Sequence, residues 1–187
     1  MQTALLLIDV QQSFRQRPYW SDEHADAFLS HCNALVTACV AARVPVVRIL
    51  HVDGDPSPNN PFALESGQVR PLAGLMEFRA TAEFRKSRHS ALVGTGLGVW
   101  LHQQGTQRLI VAGIRTEQCC ETTTRHASDE GWAVDFVSQA TLTFDMQTLD
   151  GQRLAARDIV KRTEAVLSER FARICTVADI QASFMPA

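Results

Sequence analysis

The chain has 187 residues, of which 45% are apolar and 20% charged, and its formal net charge is -2 at pH 7. This length suits one domain, residues 1–187, with a core large enough to need neither disulfides nor a metal. The charge balance argues against nucleic-acid binding, and no apolar run approaches the roughly 20 residues that span a bilayer. We therefore expect a globular protein without a membrane segment.

Cysteine usage predicts the compartment. The chain has an odd number of cysteines, with neither paired CxxC spacing nor the density of a disulfide-rich protein. Met1 leads directly into a strand-like segment, without a basic flank or a cleavage site. These features predict a reducing cytoplasm. The five residues are Cys32, Cys39, Cys119, Cys120 and Cys175.

Short apolar runs alternate with helical patterns along the chain. "TALLLID" is a continuous apolar run that ends in Asp9, as is typical of a parallel strand buried on both faces. In the segment that follows, Phe28, Leu35, Val36, Cys39 and Val40 recur at helical spacing. The predicted strands are 3–9, 45–50, 108–114, 132–137 and 173–177, and the predicted helices are 21–44, 90–105 with Thr95 as cap, 117–130 and about 151–171.

This order predicts an α/β fold with an open, doubly wound, mostly parallel sheet. Helices are expected on both faces, in three Rossmann-like layers. Residues 51–75 contain several prolines and predict a long irregular excursion, which in a compact domain is often functional. Sites in such folds gather beyond the carboxyl ends of the strands, where Asp9, His51 and residues 114–116 are expected.

The stretch "GIRTEQCCETTTRHA" places two cysteines at the start of a predicted helix. With Thr116 as N-cap, Cys119 lies in the first turn, where free backbone amides and the helix dipole favour a thiolate of lowered pKa. Cys120 is expected to pack on the sheet. A free cysteine is often an inert buried residue, so the local sequence leaves both interpretations of Cys119 open.

Three separated segments together carry a resemblance to a known family. They are "LLLIDVQQSF", "FRKSRHSAL" and "VAGIRTEQCCETTTRHASDEGW", and they occur in this order over nearly the whole chain. Together they resemble the isochorismatase-like cysteine hydrolases. The resemblance implies a catalytic triad of Cys119 as nucleophile, Asp9 as general base and acid, and Lys86 as the cation beside both. It further implies a cis peptide between Ile114 and Arg115, and an oxyanion hole made by the backbone N–H groups of Arg115 and Cys119.

The predicted reaction is acyl transfer, because a thiol is not needed to cleave a vinyl ether. We expect a hydrolase of a small amide, imide or carbamoyl substrate that uses no cofactor. Isochorismatase-type ether cleavage by Asp9 and a non-catalytic redox or binding protein remain alternatives. Nicotinamidases of the resembled family carry Asp and paired His after the second strand. Here His51, Asp53 and Asp55 are expected to lie in a solvated loop without a metal.

Substrate contacts and assembly are further expectations. Residues near the predicted edge could border the substrate. Arg115 and Glu117 could contact a charged or polar substrate, or could pair with each other or with a neighbouring subunit. The family and the apolar residues Trp100, Phe144 and Met146, expected to be exposed, suggest a homodimer or a higher homo-oligomer. The expected substrate-binding residues are Gln11, Phe14, Phe62, Glu117 and Thr141.

Overall fold

The computed structural model describes residues 2–185, and a parallel sheet forms its centre. Six strands pair in the order β3-β2-β1-β4-β5-β8, all parallel, and a separate antiparallel hairpin joins β6 to β7. The strands are β1 (Thr3–Ile8), β2 (Val46–His51), β3 (Ala82–Lys86), β4 (Arg108–Ile114), β5 (Ala133–Leu142), β6 (Met146–Gln147), β7 (Arg153–Leu154) and β8 (Arg173–Ile174). The helices are α1 (Ala25–Ala41), α2 (Leu97–Gln103), α3 (Glu121–Asp129), α4 (Ala156–Leu167) and α5 (Val177–Ser183).

The central strand β1 shows why both faces of the sheet are covered. Successive side chains of a strand point to opposite faces, so Leu5 and Leu7 enter one core while Leu6 and Ile8 enter the other. Helices α1 and α5 pack on the first face, and α2 and α3 pack on the second. The predicted open parallel α/β fold with helices on both faces is therefore confirmed.

Helix α1 follows the apolar spacing in the sequence, with one exception. Its buried residues include Phe28, Leu35, Val36 and Cys39, which face the sheet. Val40 is instead 53% exposed, because the helix turns this position away from the core. Within residues 2–185, no helix combines the length and the apolar character that a membrane crossing requires.

Several predicted elements have different boundaries in the structure. The helix predicted over 90–105 is only α2, and its N-cap is Gly96 rather than Thr95. The helix predicted over 151–171 shortens to α4. Strand β3 and the hairpin β6–β7 were not predicted, and β5 continues to Leu142.

The apolar residues expected to form an exposed surface are partly buried instead. Phe144 is 3% exposed and packs against Tyr19 and Trp20, and Trp100 packs edge-on against Phe84. Met146 is half-buried. The prediction of an exposed Phe144 is wrong because the segment before α1 folds over its ring.

Candidate active site

The carboxyl edge of the sheet brings together residues from four separate segments. Asp9 directly follows β1, His51 ends β2, Lys86 ends β3, and Cys119 lies just after β4. The chain order of the strands reverses between β1 and β4, which is where open α/β sheets form a binding crevice. Asp9 and Cys119 therefore lie on the two sides of this crevice.

The backbone around the crevice needs specific residues. Gly113 faces Ile8 across the β1–β4 pair, and a Cβ added to it would lie 1.9 Å from the Ile8 carbonyl oxygen. Only glycine allows this approach, and its φ of 139° also disfavours side chains. Asp9 adopts a φ of 54°, a left-handed conformation that Asp and Asn tolerate better than most residues. The Ile114–Arg115 peptide is cis, as the resemblance implies.

Cys119 lies in a turn of π-helix, Thr116–Cys120, that continues directly into α3. Wide turns of this kind occur frequently at functional sites. The predicted N-cap, Thr116, lies inside the turn and its hydroxyl donates to Thr141 Oγ1 at 2.8 Å, while Arg115 occupies the N-cap position. Cys120 is fully buried in the core between the sheet and α3, as its position in the sequence predicts.

Lys86 is the centre of the polar contacts at this edge. Its ammonium lies 2.6 Å from Asp9 Oδ2, 3.0 Å from His51 Nδ1 and 3.2 Å from Cys119 Sγ. The Asp9 carboxylate is fully buried, and its contact at this edge is the ion pair with Lys86. Among residues 2–185 neither of its oxygens has a partner in a hydrogen bond of regular geometry. The structure thus brings Asp9, Lys86 and Cys119 into one buried cluster.

The resting protonation state of the thiol differs from the prediction. Burial, together with the nearby Asp9 carboxylate, raises the pKa of Cys119 to about 12, although the Lys86 ammonium acts in the opposite direction. The predicted lowering of this pKa is wrong because removing a thiolate from water costs more than the neighbouring cation returns. Cys119 is therefore a neutral thiol at pH 7.

The pKa values of Asp9 and Lys86, the two ionisable neighbours of the Cys119 thiol, are also shifted. Burial raises the pKa of Asp9 above 3.8, although Lys86 counteracts part of the effect. Burial disfavours the ammonium of Lys86, but the Asp9 carboxylate and the Cys119 sulfur prevail and raise the pKa of Lys86 above 10.5. At pH 7 Lys86 is thus a cation beside the carboxyl and the thiol.

A cavity of about 260 Å³ opens onto the Cys119 sulfur. Its lining includes Phe14, Tyr19 and Phe62, and the rings of Phe14 and Phe62 meet edge to face with centroids 5.1 Å apart. His51 packs edge-on against Phe62 at 5.7 Å. The sequence had not singled out several further lining residues, because they come from distant loops. The lining residues are Phe14, Arg17, Tyr19, His51, Asp53, Gly54, Asn60, Phe62, His89, Gln118 and Cys119.

Three residues expected to contact the substrate lie outside the lining of this cavity. Gln11 is fully buried, and its amide donates to the His51 carbonyl and accepts from the His51 N–H. Glu117 forms a buried ion pair with Arg115 at 2.9 Å. The Thr141 hydroxyl donates to the Ser138 carbonyl. Each of these side chains contacts other parts of the protein, and their predicted contact with a substrate stays a prediction.

The loop after β2 does not fit a metal centre. His51 Nδ1 faces the Lys86 ammonium, and His51 Nε2 lies 3.7 Å from Asp53 Oδ2. Asp55 is exposed. Across residues 2–185, His, Cys, Asp and Glu side chains form no group of three or more that could hold a metal ion.

Comparisons with known proteins show the family and the fold of the chain. The family model described as "Isochorismatase domain" matches residues 3–178. A candidate hydrolase of the isochorismatase family from Chromobacterium violaceum has a TM-score of 0.88 and 30% identity, with 98% of this chain and 93% of that chain covered. Nicotinamidase 3 from Arabidopsis thaliana is 29% identical over 153 residues, which cover 76% of this chain and 74% of that protein.

A further solved structure shares the fold at lower identity. A cysteine hydrolase from Pseudomonas syringae pv. phaseolicola has a TM-score of 0.87 and 22% identity, with 98% and 92% of the two chains covered. The parallel sheet with helices on both faces is the fold that this chain shares with these isochorismatase-family neighbours. The chain is a member of the isochorismatase family of hydrolases.

Proposed function

We propose that this protein hydrolyses the C–N bond of a small amide, imide or carbamoyl substrate through an acyl-enzyme on Cys119. One observation carries the proposal: a single buried ammonium, that of Lys86, contacts both the Asp9 carboxylate and the Cys119 sulfur, and this sulfur lines a cavity. A nucleophile within reach of a base, with a cation beside both, is the arrangement that covalent catalysis requires.

In the first half of the reaction, Asp9 activates the neutral thiol. As the Cys119 sulfur attacks the carbonyl carbon, its proton passes to the Asp9 carboxylate, and Lys86 stabilises the charge that develops on sulfur. The C–S bond forms, the C–N bond breaks, and Asp9 gives the proton to the leaving nitrogen. Ammonia or an amine departs and a thioester remains on Cys119.

In the second half, water replaces the amine. Asp9 takes a proton from the water as its oxygen attacks the thioester carbon, and the C–S bond breaks as the carboxylic acid forms. Asp9 then returns the proton to the Cys119 sulfur. The oxyanion of both tetrahedral intermediates is assigned to the backbone N–H groups of Arg115 and Cys119, and one such donor contributes roughly 3 kcal/mol to lowering the barrier.

The cavity favours a small, flat substrate. Its volume of about 260 Å³ and its aromatic lining suit a planar group that packs against Phe14 and Phe62. We retain these two residues as substrate contacts and add Gln118, which lines the cavity beside Cys119. The nicotinamidase from Arabidopsis thaliana supports an amide as the reacting group.

The proposal requires neither a cofactor nor a macromolecular partner. We propose a cytoplasmic enzyme, because its five cysteines are free thiols, which a reducing compartment preserves. We also propose a homodimer or a higher homo-oligomer. Light scattering at micromolar concentration tests the assembly, and a monomeric mass would contradict it.

The decisive experiment measures amine or ammonia release from a panel of small amides, imides and carbamoyl compounds. Cys119→Ala is expected to abolish turnover with every active substrate. Cys120→Ala is the matched control, since it removes the adjacent thiol from a fully buried position away from the cavity. Mass spectrometry of the quenched wild-type reaction is expected to show the acyl group on Cys119 alone.

Two outcomes would favour the alternatives. Full activity of Cys119→Ala together with loss of activity in Asp9→Asn, on a vinyl ether, would indicate ether cleavage. Sulfenic acid on Cys119 without turnover of any substrate would indicate a redox or binding protein. A redox role for the vicinal pair is disfavoured by the complete burial of Cys120.

A further inference from the structure

We propose that His51 is a positioning residue, which fixes the Lys86 ammonium between Asp9 and Cys119 by accepting a hydrogen bond at Nδ1. The inference rests on the proposed function and adds a fourth side chain to its site. His51 acts through Lys86, because its Nδ1 lies 3.0 Å from the Lys86 nitrogen.

The contacts around the Lys86 ammonium support a positioning role of His51. An ammonium group has three N–H donors and no acceptor. Three acceptor atoms surround it, at 2.6 Å in Asp9, 3.0 Å in His51 and 3.2 Å in Cys119. The three N–H donors therefore face three acceptor atoms, two in hydrogen bonds and one, Asp9 Oδ2, in an ion pair. Without His51 one donor would be released, and the ammonium could rotate away from the sulfur.

The same contacts define the protonation state of His51. Nδ1 must carry a lone pair to accept from an ammonium, so the ring is neutral and its proton is on Nε2. The charged groups that face the ring are Lys86 from β3, Asp9 from the end of β1, and Asp53 from the loop after β2. Asp53 Oδ2 lies 3.7 Å from Nε2, on the side where this tautomer carries its proton.

The fold holds His51 in register with Lys86. The two residues are direct partners in the parallel β2–β3 pair, which places their side chains on the same face. The Gln11 amide binds both the N–H and the carbonyl of His51, at 2.7 and 3.0 Å. Phe62 packs edge-on against the imidazole at 5.7 Å. These contacts leave the ring little freedom to turn.

The tautomer can be measured in the wild-type protein. We expect long-range ¹⁵N–¹H spectra at pH 7 to show His51 as the neutral Nε2–H form, assigned by the signal that is missing in His51→Asn. If the His51 ring served only for packing, nothing would favour the Nε2–H tautomer over the Nδ1–H tautomer. Observation of the Nδ1–H form or of the imidazolium at pH 7 would overturn the proposal.

Alkylation of Cys119 by iodoacetamide tests the effect on the thiol, with the site read by mass spectrometry. His51→Leu is expected to slow the reaction at least tenfold. His51→Asn places an amide oxygen near the position of Nδ1 and is expected to stay within threefold of the wild type. His24→Leu, on a surface residue remote from the cluster, is the matched control and is expected to match the wild type.

The outcomes separate this inference from the proposed function. Wild-type reactivity in a folded His51→Leu variant, or equal slowing in His51→Asn and His51→Leu, would refute the positioning role. A wild-type protein that hydrolyses no amide would refute the proposed function alone, because alkylation needs no substrate.

Discussion

Two aspartates are buried at opposite edges of the same sheet, and their surroundings differ. Asp135 lies near the amino end of β5 and is held by Arg108 and Arg173, which each approach it with two hydrogen bonds of 2.9 to 3.0 Å. Asp9 lies beyond the carboxyl end of β1 and has one cation, Lys86. The first carboxylate is saturated with donors, whereas the second is not.

The difference separates the carboxylate that holds two arginines from the one that we propose as the base. Four N–H···O contacts from Arg108 and Arg173 occupy both oxygens of the Asp135 carboxylate. Asp9 has few donors and a raised pKa, so it can accept a proton and give it up again. Folded proteins seldom leave a buried carboxylate this incomplete unless a reaction uses it.

The largest expected effect is the loss of activity in Asp9→Asn. Asn tolerates the left-handed backbone and can still accept from Lys86, so the free energy of unfolding should change by no more than about 1 kcal/mol. Removal of the base should lower kcat/KM by about 10³-fold. Activity assays combined with urea unfolding test both expectations, and a fully active variant would contradict the role of Asp9.

The pH dependence of kcat/KM should reflect the same carboxylate. Asp9 must be ionised to accept the thiol proton, so kcat/KM should fall about tenfold per pH unit below its raised pKa. The pKa of Lys86 is raised above 10.5, so Lys86 causes no loss on the alkaline side up to about pH 10. If kcat/KM stayed constant down to about pH 4, the raised pKa of Asp9 and its role as the base would be contradicted.

Asp135→Asn should have the opposite consequence. Arg108 and Arg173 would lose their ion pair with Asp135, so the free energy of unfolding should fall by about 2 kcal/mol. This loss is smaller than for a fully buried pair, because both arginines reach solvent. Turnover should stay within about twofold of the wild type, since this edge lies away from Cys119. Urea unfolding and steady-state kinetics of the same preparation provide the measurement.

The smallest expected effect is that of Arg173→Ala. The Arg173 side chain is 55% exposed, and Arg108 would still hold Asp135, so the loss of stability should be about 1 kcal/mol. Activity should be unchanged. If Arg173→Ala lowered the free energy of unfolding more than Asp135→Asn does, Asp135 would not be the centre of the cluster that it forms with Arg108 and Arg173.

The sequence predicts the buried centre of the sheet better than its margins. Strands β1 and β4 contain continuous apolar runs because helices cover both faces, and β2 departs from this pattern only at Arg48 and its last residue, so the pattern is visible without coordinates. Strand β3 was missed because Glu83 and Arg85 on its exposed side make the segment look like a solvated basic stretch. The hairpin β6–β7 is too short to show an alternation.

At the candidate site, the sequence predicts where residues lie in the fold better than it predicts their pKa values. Asp9 was expected at the carboxyl end of a strand and Cys119 at the start of a helix, and both lie there. The pKa of Cys119 was predicted in the wrong direction because the depth of burial is a property of the folded chain. The contact of His51 with Lys86 depends on the pairing of β2 with β3, which the sequence did not indicate.

Strand β3 lies at one edge of the sheet, opposite β8, and Lys86 is the last residue of β3. Terminal strands fray more readily than central ones, because they are paired on one side only. Local opening of β3 would withdraw the ammonium while β1 and β4 remain folded. On warming, the protein should therefore lose the contact between Lys86 and Cys119 before it loses its sheet, so that the loss of the proposed activity precedes global melting.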